Sequence, residues 1–235
     1  MIELEQDGEV FVLTMAAGEN RWNTTFVREF DAALDQVAAS SGPAALLTRS
    51  ADAKFFSNGL DLAWAGYGEQ PPGDRNVFGA EFMALAGRLI TLEVPTVCAV
   101  NGHGFGAGFM IALCHDERHM RADRGYLCAN EIELGMTIPD AELALFRHKL
   151  PAAAFHQSVV LARRWGGADA LAAGVVQATA SLDELASRAF ERARQLAPLA
   201  GNREAIRTMK KRLYGENAVL NSPHGAAWLL QHAAH

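Results

Sequence analysis

The sequence predicts an α/β core with a helical appendage, and three patterns carry that expectation. Apolar strands alternate with helix-spaced segments over residues 1–180, residues 181–235 read as helix alone, and two mid-chain segments share one grammar of buried strand, glycine loop and helix. Taken in order, residues 2–6 and 10–15 alternate apolar and polar positions around Asp7-Gly8, a dipeptide that signals a tight hairpin. From 24 to about 39, Phe26, Val27, Phe30, Ala33, Leu34 and Val37 fall at helical spacing, with Asn23 or Thr24 as the cap. Residues 44–48 read as a buried strand. Gly66, Gly68, Pro71, Pro72 and Gly73 mark a surface loop at 66–75, and a helix from 77 to 92 stops before Pro95. Residues 96–100 form a second buried strand. Helices are expected near 106–114, 140–149, 152–164, 167–173 and 182–197, then near 202–214 and 223–232, the last with Pro223 at its start.

Composition narrows the function. The 235 residues suit one domain, or one with a small appendage. A net charge of -6 with no basic block offers no track for a nucleic-acid backbone. Cys98, Cys114 and Cys128 make no C-x-x-C pair, so free thiols in a reducing cytoplasm are expected rather than a disulfide or zinc framework. The acidic start MIELEQDGEV lacks the basic flank and apolar core of a signal peptide. Residues 94–113 carry no formal charge, and about 20 apolar residues can cross a bilayer. Pro95, Asn101, His103 and four glycines interrupt that stretch, so a strand, a loop and a buried helix are expected there, and no membrane partner.

The two glycine loops lie within 46–62 and 97–113. A glycine turn that opens a helix leaves unpaired backbone N–H groups, reinforced by the helix dipole, and such groups bind anions or a developing oxyanion. Tight turning and close helix packing are the competing explanation for either loop alone. Gly102, Gly104 and Ala107 approximate a dinucleotide fingerprint, but the loop is mid-chain, its third glycine is replaced, and no clear strand leads to the required acid.

Together the loops resemble the crotonase (enoyl-CoA hydratase/isomerase) superfamily. F-S-N-G-L-D at 56–61 is similar to its first oxyanion motif and A-V-N-G-H-G-F-G-A-G at 99–108 to its second. The resemblance implies a ββα spiral core with a C-terminal helical oligomerisation region, and an acyl-CoA substrate. It makes the amides of Leu60 and Ala107 the oxyanion donors, the latter at the usual middle glycine, where a positive φ would strain alanine. Hydratases of the family use two acids; here the first position falls on Met110 and the second on Glu131. One carboxylate suits a proton shuttle instead. Asn130-Glu131 with Leu134-Gly135, and G-E-N-R-W-N at 18–23, resemble the Δ3-Δ2-enoyl-CoA isomerase branch. The expected reaction is therefore the shift of a 3-enoyl-CoA double bond to the 2-enoyl position, with hydration, decarboxylation, thioester hydrolysis or silent acyl-CoA binding as alternatives.

Capping or surface placement is the competing role for Glu131, and Glu133 should face away from it in an extended segment. Asp140, after Pro139, is the second candidate acid, although a helix start explains it as well. Asp61 is expected to be structural, His103 a packed loop residue, and the His115/His119 pair no metal site. Phe56, Asn58, Gly59, Gly106 and Met110 are expected around the substrate by the same resemblance. Coenzyme A belongs to the substrate, so no separate cofactor is expected. Its phosphates call for cations, for which Arg21, Lys54 and Lys210 are the candidates. The family resemblance implies a homotrimer or hexamer assembled through the helical tail.

Overall fold

The Asp7-Gly8 hairpin forms as its sequence demands. In the computed structural model, which describes residues 1–67, 73–215 and 225–232, strands β1 (Ile2–Asp7) and β2 (Val10–Met15) pair antiparallel from Ile2↔Met15 to Asp7↔Val10. Helix α1 (Thr24–Ala39) follows, capped by Asn23, whose side chain accepts from the Phe26 amide. All six apolar positions of its sequence stripe are buried.

Three strand–strand–helix units then succeed one another. The first is β3 (Ala45–Ser50), β4 (Phe55–Ser57) and α2 (Arg75–Ile90). The second is β5 (Thr96–Val100), β6 (His103–Phe105) and α3 (Ala107–Cys114). The third is β7 (Glu117–Arg121), β8 (Leu127–Cys128) and α4 (Asp140–Lys149). In each unit the first strand joins a six-stranded sheet, ordered β1-β2-β3-β5-β7-β9, and the second joins a three-stranded sheet, ordered β4-β6-β8. Every pair but β1–β2 is parallel. Helices α5 (Ala152–Val159) and α6 (Gly167–Ala172), strand β9 (Ala178–Ala180), and helices α7 (Leu182–Leu196), α8 (Arg203–Tyr214) and α9 (Ala226–Gln231) complete the chain. This is the ββα spiral with helical tail that the sequence predicts.

A parallel sheet must be covered on both faces, and period-two alternation supplies two apolar faces. Phe11, Leu13 and Met15 of β2 enter the main core, while Val10 and Val12 point the other way. There α7 covers them with Leu185, Ala189 and Ala193, spaced one turn apart, and the small alanines let the helix lie close. The main core is anchored by Trp22, fully buried among the rings of Phe26, Phe30 and Phe82 at 4.8–5.7 Å.

Several elements differ from the sequence pattern, among them the short strands β4, β6, β8 and β9, which it does not mark. Helix α2 starts at Arg75 because Asp74 accepts from the Asn76 and Val77 amides. Helix α5 ends at Val159 rather than 164: Ala162 takes a positive φ, and Trp165 leaves to bridge Leu127 of β8 while its indole N–H donates to Ser158. The charged strand β7 was not legible at all. Gly68, Pro71, Pro72 and Pro223 lie outside the described residues. Among the described residues no helix is long and apolar enough to cross a membrane.

Candidate active site

Both glycine loops leave the small sheet side by side, from the ends of β4 and β6. After β4, Gly59 turns with φ +74°, and a Cβ there would stand 2.8 Å from the Phe105 carbonyl oxygen. Only glycine satisfies both conditions. The segment 18–23 clamps this loop from outside. The Trp22 amide donates to the Gly59 carbonyl, the Asp61 amide to the Trp22 carbonyl, and the Asn58 amide to the Glu19 carbonyl, at 2.8–2.9 Å. Buried Asn20 donates to Ser50 Oγ and the Phe56 carbonyl, and Trp22 Nε1 donates to Ser57 Oγ. The Asp61 amide is thereby used, the Gly59 amide donates to Ser57 Oγ at 3.4 Å, and the Leu60 N–H is left without a protein acceptor among the described residues.

After β6, the positive φ falls on Gly106 (+48°), so Ala107 begins α3 in ordinary helical geometry. The strain expected for alanine is therefore avoided. As a first-turn residue, Ala107 has an N–H with no acceptor in its own helix, at the positive end of the helix dipole. The amides of Leu60 and Ala107 thus border one cavity of about 230 Å³. Its walls are Leu62, Phe105, Leu134 and Met136, and Arg21 stands at its rim bound to Glu19 at 2.7 Å.

Glu131 borders the same cavity. It precedes a 3-10 turn (Ile132–Leu134), where its carbonyl accepts from the Leu134 and Met136 amides. That turn replaces the extended geometry expected here, yet Glu133 still points away, held by Arg164 at 2.7–2.8 Å. The Glu131 carboxyl is half-buried. Oε1 lies against Gly106, 3.1 Å from where a Cβ would stand, and Oε2 is buried without a hydrogen-bond partner among the described residues. Burial pushes its pKa upward. The result is a carboxylate of enhanced basicity bordering the same cavity as two unpaired amides, an arrangement able to remove a proton next to a carbonyl.

The sequence and the fold match known proteins. The sequence fits the family described as Enoyl-CoA hydratase/isomerase over residues 5–225. The chain is an enzyme of the enoyl-CoA hydratase/isomerase family. It is 32% identical over 223 residues to a peroxisomal enoyl-CoA delta isomerase 2 of Arabidopsis thaliana, spanning 92% of this chain and 93% of that one. It is 40% identical over 151 residues to the carnitinyl-CoA dehydratase of Escherichia coli, spanning 63% and 56%. Its fold superposes on an apo enoyl-CoA isomerase from Mtb with a TM-score of 0.78, at 28% identity over 90% of this chain and 89% of that one. A second structure, of a probable enoyl-CoA hydratase from Mycobacterium tuberculosis, gives 0.79 at 29% identity over 90% and 87%.

The site of this family member differs from the sequence expectation at several residues. Phe56 and Met110 are sealed in the main core and do not line the cavity. Lys210, a candidate for coenzyme A phosphates, is turned inward: Nζ donates to Asp116 at 2.7 Å and to the Val94 carbonyl at 3.0 Å. Asp140 is exposed in the first turn of α4, outside the cavity. Lys54 is exposed over the Phe55 ring and lies outside the cavity as well. Asp61 is structural, accepting from the Trp64 amide. His115 is a core histidine between the Ile111 carbonyl and Thr48 Oγ1, its pKa pushed by burial down to about 4. His103 stacks on Phe105 with its pKa lowered by burial. Among the described residues no group of side chains could hold a metal ion. Sequence reasoning missed Leu62, Phe105 and Met136, whose apolar character carries no signal of its own.

Proposed function

We propose that the protein is a Δ3-Δ2-enoyl-CoA isomerase with Glu131 as its proton shuttle. One observation carries the reading: a single carboxylate borders a cavity that also presents two unpaired amides. With a 3-enoyl thioester oxygen between the Leu60 and Ala107 amides, Glu131 removes a C2 proton. The C–H electron pair moves toward the thioester, whose oxygen takes the negative charge. The same carboxyl then protonates C4, and the double bond comes to rest between C2 and C3. An oxyanion donor of this kind contributes about 10²–10³ in rate. Hydration would need a second acid at the reacting carbons. Burial of apolar Met110 and exposure of Asp140 outside the cavity both speak against it.

Arg21 and Lys54 flank the same acid, Glu19, and are the cations proposed for the coenzyme A phosphates, with no cofactor beyond coenzyme A itself. A homotrimer or hexamer in fatty acid metabolism, in a reducing compartment such as the cytoplasm, completes the proposal. Three free, buried cysteines support the compartment.

The test is ultraviolet absorbance of trans-3-hexenoyl-CoA with wild type and Glu131→Gln. The expected result is the rise of a conjugated 2-enoyl thioester, abolished in the variant. Hydration of a 2-enoyl-CoA without that rise would make the protein a hydratase. Silence in both assays would point to a binding role or another acyl-CoA reaction.

A further inference from the structure

The catalytic cavity has one wall that is braced from behind. Its apolar walls are Leu62, Phe105, Leu134 and Met136. Leu134 is more than half exposed, and Leu62 and Met136 are half-buried chains free to change rotamer. Phe105 differs in both backbone and side chain. Its carbonyl oxygen lies 2.8 Å from where a Cβ at Gly59 would stand, and Gly106 turns next to it at φ +48°, so its backbone is pinned between the two glycine loops.

The Phe105 ring rests on another ring. His103 and Phe105 are alternate residues of β6 and therefore leave the small sheet on the same face. Their rings stack at 5.2 Å with 12° between planes. The imidazole is gripped in turn: the ring of Phe55, its register partner on β4, stands at 5.6 Å, and the Tyr126 ring, just before β8, at 5.5 Å. His103 Nδ1 is buried with no hydrogen-bond partner among the described residues, so ring packing rather than a hydrogen bond at that nitrogen holds it. Behind the stack lies a larger cavity of about 470 Å³, whose walls include His103, Arg124, Tyr126 and Gly166. Phe105 borders the smaller cavity and His103 the larger, so the stacked rings stand between the two. At about 230 Å³ the catalytic cavity falls below the roughly 300–1,000 Å³ usual for small-molecule sites.

We propose that Phe105 is the specificity-determining wall of the acyl site: it stops the tail beyond C4, restricts the enzyme to short acyl chains, and is held in place by His103. The inference rests on the cavity being the acyl-CoA site proposed above, and it holds whichever acyl-CoA reaction takes place there. With the thioester oxygen at the Leu60 and Ala107 amides, the tail has the four apolar walls to enter among, and Phe105 lies two residues before the second donor. His103 is a positioning residue, since it touches Phe105 and lines the other cavity.

The experiment is calorimetric titration of hexanoyl-CoA and dodecanoyl-CoA, saturated thioesters with no double bond to shift, into wild type, Phe105→Ala and His103→Ala, with melting curves to verify folding. Wild type should bind the hexanoyl thioester more tightly. Each methylene taken into an apolar space is worth about fourfold in affinity. Phe105→Ala vacates the space of a ring, so it should move the dodecanoyl-to-hexanoyl affinity ratio toward the long chain by roughly tenfold. Phe105→Leu, expected to act in the same direction, replaces it if the alanine variant does not fold. His103→Ala leaves every wall of the catalytic cavity in place and should shift the ratio the same way by a smaller factor, because Phe105 can then swing back. A merely structural role for His103 would lower the melting temperature and leave the ratio alone, which would overturn its part. Equal binding of both chains by wild type, or an unchanged ratio in the Phe105 variant, would overturn the whole. Failure of the isomerase reading shows separately, as no conjugated product from trans-3-hexenoyl-CoA while the binding ratios stand.

Discussion

Replacement of Gly108 by alanine tests whether the two glycine loops must touch for the oxyanion amides to converge. Gly108 is the second residue of α3, and a Cβ built there would lie 2.5 Å from the Ser57 carbonyl oxygen and 2.8 Å from Ser57 Cβ. Ordinary contact begins at 3.4 Å, so the two loops would have to part by nearly 0.9 Å. The obstacle is backbone, and Ser57 cannot swing aside: its Oγ donates to the Asn20 carbonyl at 2.7 Å and accepts from Trp22 Nε1 at 2.9 Å. Ser57 leads into Leu60, and Gly108 follows Ala107, so the parting opens the space between the two donors. Overpacking of this sort costs about 1–3 kcal/mol of stability. A misplacement near 1 Å costs on the order of 10²-fold in rate.

The expected outcome for Gly108→Ala is a folded protein with a modestly lower melting temperature and a roughly hundredfold lower kcat on trans-3-hexenoyl-CoA. The companion change Ala107→Gly keeps the N–H and removes only a methyl group, so it should stay within a few-fold of wild type. Full kcat in Gly108→Ala, with a melting temperature showing that the methyl is accommodated, would refute the reasoning. Equal loss in Ala107→Gly would refute it too, because helix-start flexibility would then explain both.

Three further outcomes follow from the charges. Asp116→Asn removes the charged partner of Lys210 and leaves it the Val94 carbonyl; loss of a hydrogen bond to a charged group costs about 1.5–3 kcal/mol, which calorimetry at neutral pH would read as a fall in melting temperature. Although burial opposes the Asp116 charge, Lys210 and Lys149 outweigh it and hold the carboxyl below its ordinary range. Its contribution is thus complete above the ordinary carboxylate pKa and lost in acid, so wild type and variant should converge there. Glu142 has the opposite sign. Its raised folded pKa makes wild-type stability decline from the ordinary range up to about 8, and Glu142→Gln should flatten that decline in melts against pH. Arg21→Ala should raise KM for the acyl-CoA roughly tenfold with kcat unchanged, as expected for loss of a charged hydrogen bond made equally in ground and transition states.

Most of the fold was legible because its signals are local. The Asp7-Gly8 turn, the stripe of α1 and the Pro95 stop each depend on residues adjacent in sequence. What escaped depends on partners far away. Strands β4, β6 and β8 run two or three residues each, and β6 is made of His103–Phe105, residues that also belong to a glycine motif. Strand β7 reads as E-R-H-M-R, a surface-like string, yet Arg118 is buried because the Val175 and His115 carbonyls accept from its guanidinium. Lys210 misled for the same reason. In T-M-K-K-R-L nothing distinguishes the lysine that faces solvent from the one that faces Asp116, which lies 94 positions away.

The site divides along the same line. Its amides were readable because backbone donors need only glycine at the right places, and Gly59 and Gly106 both adopt the positive φ that justifies them. The candidate base, Glu131, was readable by resemblance, but the burial that raises its pKa was not. The leucine and methionine that share its cavity, Leu134 and Met136, carry no sequence signal of that role. A sequence motif therefore points to candidate groups, whereas the burial that raises a carboxyl's pKa comes from packing between segments distant in sequence.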